Sequence, residues 1–235
     1  MSGRRQSSYL LQTASSVVDK RDMDTMIRAL VADDHAIVRQ GLKQILMDTP
    51  DIVVAGEATR GEEVLDQLAA HPVDVVLLDI TMPGRSGFEV LQDIRRRHKM
   101  LPVLILSAHP EELYGIRALK AGASGYLMKE RVPEEIVSAV RKVATGGKYI
   151  NASLAETLVG RLDGGYDAPI HHSLSTREYE VMCHIAQGFS MKEIAEKIGL
   201  SIKTISTYRS RILEKLKMKT NAQLVHYAIH ENLLG

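Results

Sequence analysis

The stretch that decides the fold reads Val73-Asp74-Val75-Val76-Leu77-Leu78-Asp79, followed by Ile80-Thr81-Met82-Pro83-Gly84. Four consecutive apolar residues, Val75 to Leu78, are typical of a strand that is covered on both of its faces. Strands of this kind occur in parallel sheets, where functional side chains collect at the carboxyl ends of the strands. The stretch therefore predicts a central parallel strand that delivers Asp79 to one edge of a sheet.

Short apolar runs on both sides of this strand alternate with stretches of helical periodicity. The predicted strands are Arg28–Ala32, Ile52–Gly56, Val73–Leu78, Val103–Leu106 and Gly125–Met128. The predicted helices are Ala36–Met47, Glu62–Ala70, Ser86–His98, Glu111–Ala121 and Pro133–Thr145. Five strands alternating with five helices predict an α/β domain built on a doubly wound, five-stranded parallel sheet.

A wholly helical segment follows this α/β block. Capping boxes occur at Ser175-x-x-Glu178, Ser190-x-x-Glu193 and Thr220-x-x-Gln223, and Ser201 is placed to cap a fourth helix. Between residues 191 and 205 the apolar spacing fits two helices that meet at a tight corner, with Gly199 in the turn, which predicts a helix-turn-helix. We expect a flexible tail over residues 1–25, the α/β domain over 26–147, a linker with a possible helix over 148–171, and the helical domain over 172–235.

The composition argues against a membrane, secreted, collagenous or disordered protein. The 235 residues are 45% hydrophobic and 25% charged, as in a soluble globular chain, and the single cysteine fits a reducing compartment. The sequence lacks an apolar run of the roughly 18 residues that a membrane span needs, so we expect a cytoplasmic protein. Residues 203–219 hold six Lys or Arg and one Glu. This basic stripe indicates either a polyanionic partner or an ordinary solvated helix face.

Polar side chains follow four of the five predicted strands. They are Asp33, Asp34, Asp79, Ser107 and Lys129. Because the carboxyl ends of parallel strands share one edge, we expect these groups to converge there. Three neighbouring carboxylates repel one another, and oxygen-only ligands of high charge favour Mg²⁺. Asp79 could then attack phosphorus and form an acyl phosphate, with Lys129 and Ser107 contacting the phosphoryl oxygens.

Residues 27–147 closely resemble the receiver domain of two-component response regulators, which has a flavodoxin-like fold. The resemblance is carried by the Asp33-Asp34 pair, by Leu77-Leu78-Asp79-Ile80-Thr81-Met82-Pro83-Gly84, and by Ser107 and Lys129. It implies that a sensor histidine kinase phosphorylates Asp79. It also implies that Asp34, Asp79 and the main-chain carbonyl of Thr81 hold Mg²⁺, with Asp33 acting through water. Ser107 and Tyr126 take the family's switch positions, and Glu130 follows Lys129 where many receivers have proline.

Residues 172–235 look like a LuxR-type output domain. The motif residues are Leu174-Ser175-Thr176-Arg177-Glu178, Gly188, Lys192-Glu193-Ile194-Ala195 and Lys215-Leu216. The helix after Ser201 fits the major groove of double-stranded DNA. Its expected DNA-contacting residues, together with a late lysine, are Lys203, Thr204, Thr207, Tyr208, Arg209, Ser210, Arg211 and Lys215. Ser206 stands where family members commonly have a base-contacting lysine, so we expect a different operator sequence.

The whole chain resembles the NarL/FixJ class of response regulators and is nearest to its GacA/UvrY branch. This resemblance implies a transcription factor in which phosphorylation of Asp79 controls sequence-specific DNA binding, with a homodimer forming when Asp79 is phosphorylated. We expect no enzyme activity beyond slow autodephosphorylation, because a dehalogenase-type phosphatase needs an acid two residues after the nucleophile and Thr81 stands there. Two alternatives stay open, a small-ligand sensor with a LuxR-type output and a regulator that binds DNA without phosphorylation.

Overall fold

The computed structural model describes residues 26–109, 111–162, 169–231 and 233. The predicted tail over residues 1–25 lies outside this part, as do residues 163–168 of the predicted linker. The first domain consists of β1 (Ile27–Ala32), α1 (Ala36–Met47), β2 (Ile52–Ala58), α2 (Gly61–Ala70), β3 (Val75–Asp79), α3 (Gly87–Arg97), β4 (Val103–Ser107), α4 (Glu111–Lys120), β5 (Gly125–Met128) and α5 (Val132–Ala144). A short 3₁₀ helix, Lys129–Arg131, joins β5 to α5.

The five strands pair in parallel in the order β2-β1-β3-β4-β5, which confirms the predicted α/β fold. The first and last residues predicted for each strand and helix of this domain lie within two residues of those observed. The largest differences are two residues, as at β3, which begins at Val75 rather than Val73. Asp74 lies just before β3. Its carboxylate accepts hydrogen bonds from the backbone amide and the guanidinium of Arg28, at 2.8 Å each.

The core lies on both faces of the sheet, as the uninterrupted apolar run of β3 predicts. Val75 and Leu77 belong to an apolar cluster with α1 and α5, whereas Val76 and Leu78 belong to a second cluster with α2, α3 and α4. All four side chains are fully buried. Burying an aliphatic side chain of this size contributes about 1.5–3 kcal/mol to the stability of the fold. The central strand is therefore a rigid base for Asp79.

Gly87 fixes the path of the chain after Asp79. A Cβ on Gly87 would come within 2.1 Å of the carbonyl oxygen of Asp79, so only glycine fits at the start of α3. The Gly87 amide donates to the carbonyl of Ile80 at 2.9 Å. Ser86 and Glu89 form a capping box that starts α3 at this point. The loop that carries the expected metal-binding carbonyl of Thr81 is thereby held against the end of β3.

The predicted helix in the linker is present as α6 (Ala152–Leu162). It packs on the first domain, because Gly115 of α4 leaves room for the buried side chain of Leu154. Tyr149 extends the edge of the sheet by a parallel bridge to Gly125 of β5. Residues 148–162 are thus packed against the α/β domain.

The second region is all-helical, as predicted. It consists of a 3₁₀ helix, Ile170–Ser173, and of α7 (Thr176–Ala186), α8 (Met191–Ile198), α9 (Ile202–Lys215) and α10 (Asn221–His230). The three predicted capping boxes are present at Ser175, Ser190 and Thr220, and the hydroxyl of Ser201 accepts from the Thr204 amide at 3.1 Å. Gly199 has a φ of 72°, the left-handed turn expected between α8 and α9.

Two arginines connect the two regions. Arg117 of α4 donates to the carbonyls of His171 at 2.6 Å and Leu174 at 3.0 Å. In the other direction, Arg177 of α7 donates to the carbonyl of Gly84 in the loop after β3 at 2.9 Å. The helical region therefore lies against the carboxyl end of the sheet.

Candidate functional site

Asp79 lies at the carboxyl end of β3 and is almost fully buried. One carboxylate oxygen accepts a hydrogen bond from the Thr81 amide at 3.1 Å, and the other accepts from the Lys129 ammonium at 2.8 Å. Lys129 also forms an ion pair with Asp33 at 2.7 Å. The residue after Lys129 is Glu130 rather than proline, and Lys129 still reaches both aspartates.

Asp33, Asp34 and Asp79 come together as the strand-end rule predicts. Ligand atoms of these three residues and of His35 all lie within 4.8 Å of one another. Asp33 is fully buried and accepts from the His35 amide at 2.9 Å. The His35 imidazole, which is exposed, is 2.8 Å from an Asp34 oxygen. Three carboxylates face the single ammonium of Lys129, so the cluster has an excess of negative charge.

At Asp79, burial and the positive charge of Lys129 shift the pKa in opposite directions. Burial raises the pKa of Asp79 to about 6, and the Asp33 carboxylate adds to this shift while Lys129 counteracts it. For Lys129, burial alone would lower the pKa, but the Asp79 and Asp33 carboxylates outweigh burial and leave it raised. A divalent cation would stabilise the charged form of Asp79 against burial and against the repulsion from Asp33.

The donor set fits Mg²⁺. Hard divalent cations prefer carboxylate and carbonyl oxygens, which this edge of the sheet supplies. Asp34 is partly exposed, and its buried oxygen has no hydrogen-bond partner among the described residues, although the His35 ring lies close to it. The residues are therefore compatible with the predicted metal, with Asp34 and Asp79 as direct ligands.

Ser107 and Tyr126 are both fully buried and hold the same residue, His109. The hydroxyl of Ser107 accepts from the His109 amide at 3.0 Å, and the Tyr126 hydroxyl donates to the His109 carbonyl at 2.8 Å. The sequence interpretation did not include His109. Its position two residues after the end of β4 places it at the edge where strand-end groups gather, and that signal could have identified it.

The helical region presents a polar face on α9. Lys203, Thr207 and Arg211, spaced four residues apart, are exposed on one side of the helix, and Ser206 and Ser210 are exposed beside them. Ile205 and Ile212 on the opposite side are buried in the core of the region. The helix therefore has the amphipathic arrangement expected of a major-groove reader.

Family comparisons agree with this geometry. Residues 29–141 match the model of the response regulator receiver domain, and residues 172–228 match that of the bacterial regulatory proteins of the luxR family. The response regulator UvrY of Escherichia coli (strain CFT073) is 38% identical over 209 residues, which cover 88% of this chain and 96% of UvrY. This chain is a response regulator of the NarL/FixJ class.

Other relatives support the same assignment for this response regulator. The response regulator GacA of Pseudomonas aeruginosa is 35% identical and covers 89% of this chain and 98% of its own length. Among solved structures, RcsB from Salmonella enterica serovar Typhimurium, bound to the promoter rprA in the presence of phosphomimetic BeF₃⁻, superposes with a TM-score of 0.61 at 26% identity. That match covers 86% of this chain and 98% of RcsB.

Some of the predicted DNA-contacting residues of this response regulator also form contacts inside the output domain. The Lys215 ammonium pairs with Glu178 of α7 at 2.6 Å, and the Arg209 guanidinium donates to Asn221 of α10 at 2.7 Å. Tyr208 is half-buried against the core, and the Thr204 hydroxyl is 2.8 Å from that of Ser201. In this arrangement Lys215 and Arg209 join helices, so we keep Lys203, Thr207, Ser210 and Arg211 as the first DNA-contacting candidates.

Arg95 also differs from the sequence interpretation. A run of three arginines at a helix end is most often solvated, and Arg96 and Arg97 are exposed, but Arg95 is half-buried in this response regulator. Its guanidinium donates to the carbonyls of Gly122 at 2.8 Å and Leu101 at 2.7 Å. Arg95 therefore ties the end of α3 to the turn after α4.

No helix within the described residues combines the length and the apolarity that crossing a bilayer requires.

Proposed function

We propose that phosphorylation of Asp79 by a sensor histidine kinase controls the sequence-specific DNA binding of this response regulator. The observation that supports this most directly is the convergence of Asp33, Asp34, Asp79 and Lys129 at one edge of the sheet, where Ser107 also ends the neighbouring strand β4. An isolated DNA-binding domain has no need of such a cluster. A ligand sensor would also gain nothing from three carboxylates around one ammonium.

The transfer step uses the side chains in distinct roles. A carboxylate oxygen of Asp79 attacks the phosphorus of a phosphohistidine, the P–N bond breaks, and its electron pair stays on the imidazole nitrogen. Lys129, already 2.8 Å from Asp79, neutralises charge on the phosphoryl oxygens, and the Ser107 hydroxyl donates to one of them. Mg²⁺, held by Asp34, Asp79 and the Thr81 carbonyl with Asp33 acting through water, supplies further charge compensation when bound.

The acyl phosphate on Asp79 is expected to persist as a signal rather than to be hydrolysed rapidly. Thr81 stands two residues after Asp79, so the site has no carboxylic acid there to drive rapid hydrolysis of an acyl phosphate. We therefore propose slow autodephosphorylation as the only reaction that follows. The phosphoryl group then has time to shift a two-state equilibrium of the receiver, which releases or dimerises the output domain.

A phosphate-affinity gel tests the proposal. Full-length protein is incubated with acetyl phosphate and Mg²⁺, and a retarded band is expected. Asp79→Asn should lose the band, whereas Asp48→Asn, which changes an exposed carboxylate at the C-terminal end of α1, should keep it. A retarded band that persists in Asp79→Asn would remove Asp79 as the acceptor.

One observation favours a second function, which is DNA binding without phosphorylation. Lys203, Thr207 and Arg211 are exposed even with the receiver packed against the output domain. A regulator of this kind would bind its operator equally well as wild type and as Asp79→Ala. Footprinting on genomic fragments with both proteins, with and without acetyl phosphate, separates the two functions.

A further inference from the structure

A column of aromatic rings begins at the two switch residues. Ser107 and Tyr126 hold the amide and the carbonyl of His109, as described above. The His109 ring stacks on the ring of Tyr114 with centroids 4.6 Å apart and planes 20° from parallel. Any movement of Ser107 or Tyr126 therefore acts on the backbone that positions the first ring of the column.

The same column crosses into the output domain. Tyr114 of α4 is buried and meets Tyr179 of α7 edge to face, with centroids 5.1 Å apart. Tyr179 is fully buried, and the Arg117 guanidinium lies 4.5 Å from the centre of its ring. Arg117 in turn donates to the carbonyls of His171 and Leu174. The contact between the domains and the switch residues is thus one continuous set of packed groups.

We propose that the column of His109, Tyr114 and Tyr179 couples the phosphoacceptor pocket to the position of the output domain. This inference rests on the proposed function, since it requires Asp79 to receive the phosphoryl group. In the structure the Ser107 hydroxyl accepts from the His109 amide and supports the residue that carries the first ring. A Ser107 hydroxyl drawn to a phosphoryl group leaves that amide without its acceptor and removes the support of the first ring.

Coupling of this kind is reciprocal. If the packed column stabilises the unphosphorylated pocket, then breaking the column at its far end makes phosphoryl-like ligands bind more tightly. None of the described contacts of Tyr179 is with a residue of the acidic cluster. A change in pocket affinity caused by a Tyr179 substitution is therefore a signature that local damage to the pocket cannot produce.

The experiment measures binding of BeF₃⁻ with Mg²⁺ to the full-length chain, using the ¹⁹F resonance of the bound anion. His109→Ala and Tyr179→Leu are each expected to tighten binding about 2- to 10-fold, the range that one aromatic pair supplies. The double variant should bind no tighter than the stronger single variant, because both substitutions break the same column. His109→Phe keeps a stacking ring and should bind as wild type does.

Controls separate the possible failures. Tyr208→Leu makes the same substitution at a half-buried tyrosine of α9 outside the column, and it should leave the affinity unchanged. Equal tightening in Tyr208→Leu, or unchanged affinity in both His109→Ala and Tyr179→Leu, overturns the coupling while the proposed function stands. A wild-type chain that does not bind BeF₃⁻ at Asp79 overturns both. If Tyr179→Leu does not fold, Arg117→Ala takes its place, since it removes the guanidinium over the Tyr179 ring and Arg117 is not part of the acidic cluster.

Discussion

At the scale of single residues, Asp79 combines two properties that conflict. It must be a carboxylate to attack phosphorus, yet burial and the neighbouring Asp33 favour its neutral form. The pKa of Asp79 is about 6 in the folded chain and 3.8 in an unfolded one. As pH rises from about 4 to about 6, the unfolded chain loses this proton first. Without a metal, the receiver therefore becomes less stable over that interval and stays so above it.

Asp79→Asn is accordingly expected to stabilise the metal-free receiver. Removing the charge should raise the free energy of unfolding at pH 7.5 by about 1–3 kcal/mol, since one pKa unit corresponds to about 1.4 kcal/mol. Urea unfolding in EDTA, followed by circular dichroism, measures the difference. The gain should shrink at pH 4.5 and also when Mg²⁺ replaces EDTA. Equal stability of the two proteins at pH 7.5 would contradict the role of burial at Asp79, and Asp48→Asn serves as the exposed control.

The residues of the pocket could be predicted from the sequence because one rule places them. Strand ends in a parallel sheet share an edge, and five polar side chains follow predicted strands. The partners of these residues could not be predicted in the same way. Arg39 donates to the Asp33 carbonyl at 2.8 Å from the first turn of α1, where periodicity marks it only as a polar position. Such contacts depend on how a helix rotates on the sheet.

At the scale of elements, α9 shows what helical periodicity reveals and what it leaves out. Apolar spacing and the Ser201 cap predict the helix and its buried side, as the structure confirms. The partners of its cations come from other helices, and Glu178 lies 37 residues from Lys215. Sequence alone therefore could not separate Lys215 and Arg209, which hold the domain together, from Lys203 and Arg211, which remain exposed.

This division predicts two kinds of variant on α9. Lys203→Ala and Arg211→Ala should weaken binding to duplex DNA and should each reduce the slope of log affinity against log salt by about 1. Lys215→Ala should leave that slope unchanged but lower the stability of the output domain by about 1 kcal/mol or less, since the pair is partly exposed and Glu178 is buried. Fluorescence anisotropy from 50 to 200 mM salt and thermal unfolding measure the two effects. A slope change in Lys215→Ala as large as that in Arg211→Ala would restore Lys215 as a DNA contact.

At the scale of the whole molecule, residues of both domains line a cleft beside the acidic cluster. This cleft of about 250 Å³ is lined by Asp34 and Thr81 of the receiver and by Arg177, His184 and Lys197 of the output domain. The order of the domains could be predicted from their motifs. The packing of one domain on the other could not be predicted from the sequence. Arg117 lies 54 residues from His171 and 57 from Leu174, whose carbonyls it binds, and no local pattern in the sequence marks these residues as partners. A flexible linker was expected between the domains, but nothing in the sequence indicated that the cleft would be closed.

Arg117→Ala tests whether this closed arrangement limits access to Asp79. The substitution removes the hydrogen bonds to the carbonyls of His171, Leu174 and Ser175 and the guanidinium over Tyr179. One hydrogen bond to a charged donor contributes about 1.5–3 kcal/mol, so the open fraction should rise at least tenfold. Small-angle scattering should then give a larger radius of gyration, and acetyl phosphate should label Asp79 faster than in wild type. Arg141→Ala breaks an exposed pair with Asp51 within the receiver and should change neither measurement. A larger radius of gyration without faster labelling would mean that the closed cleft already admits small donors. In that case the domain contact restricts only the approach of a protein-bound phosphohistidine.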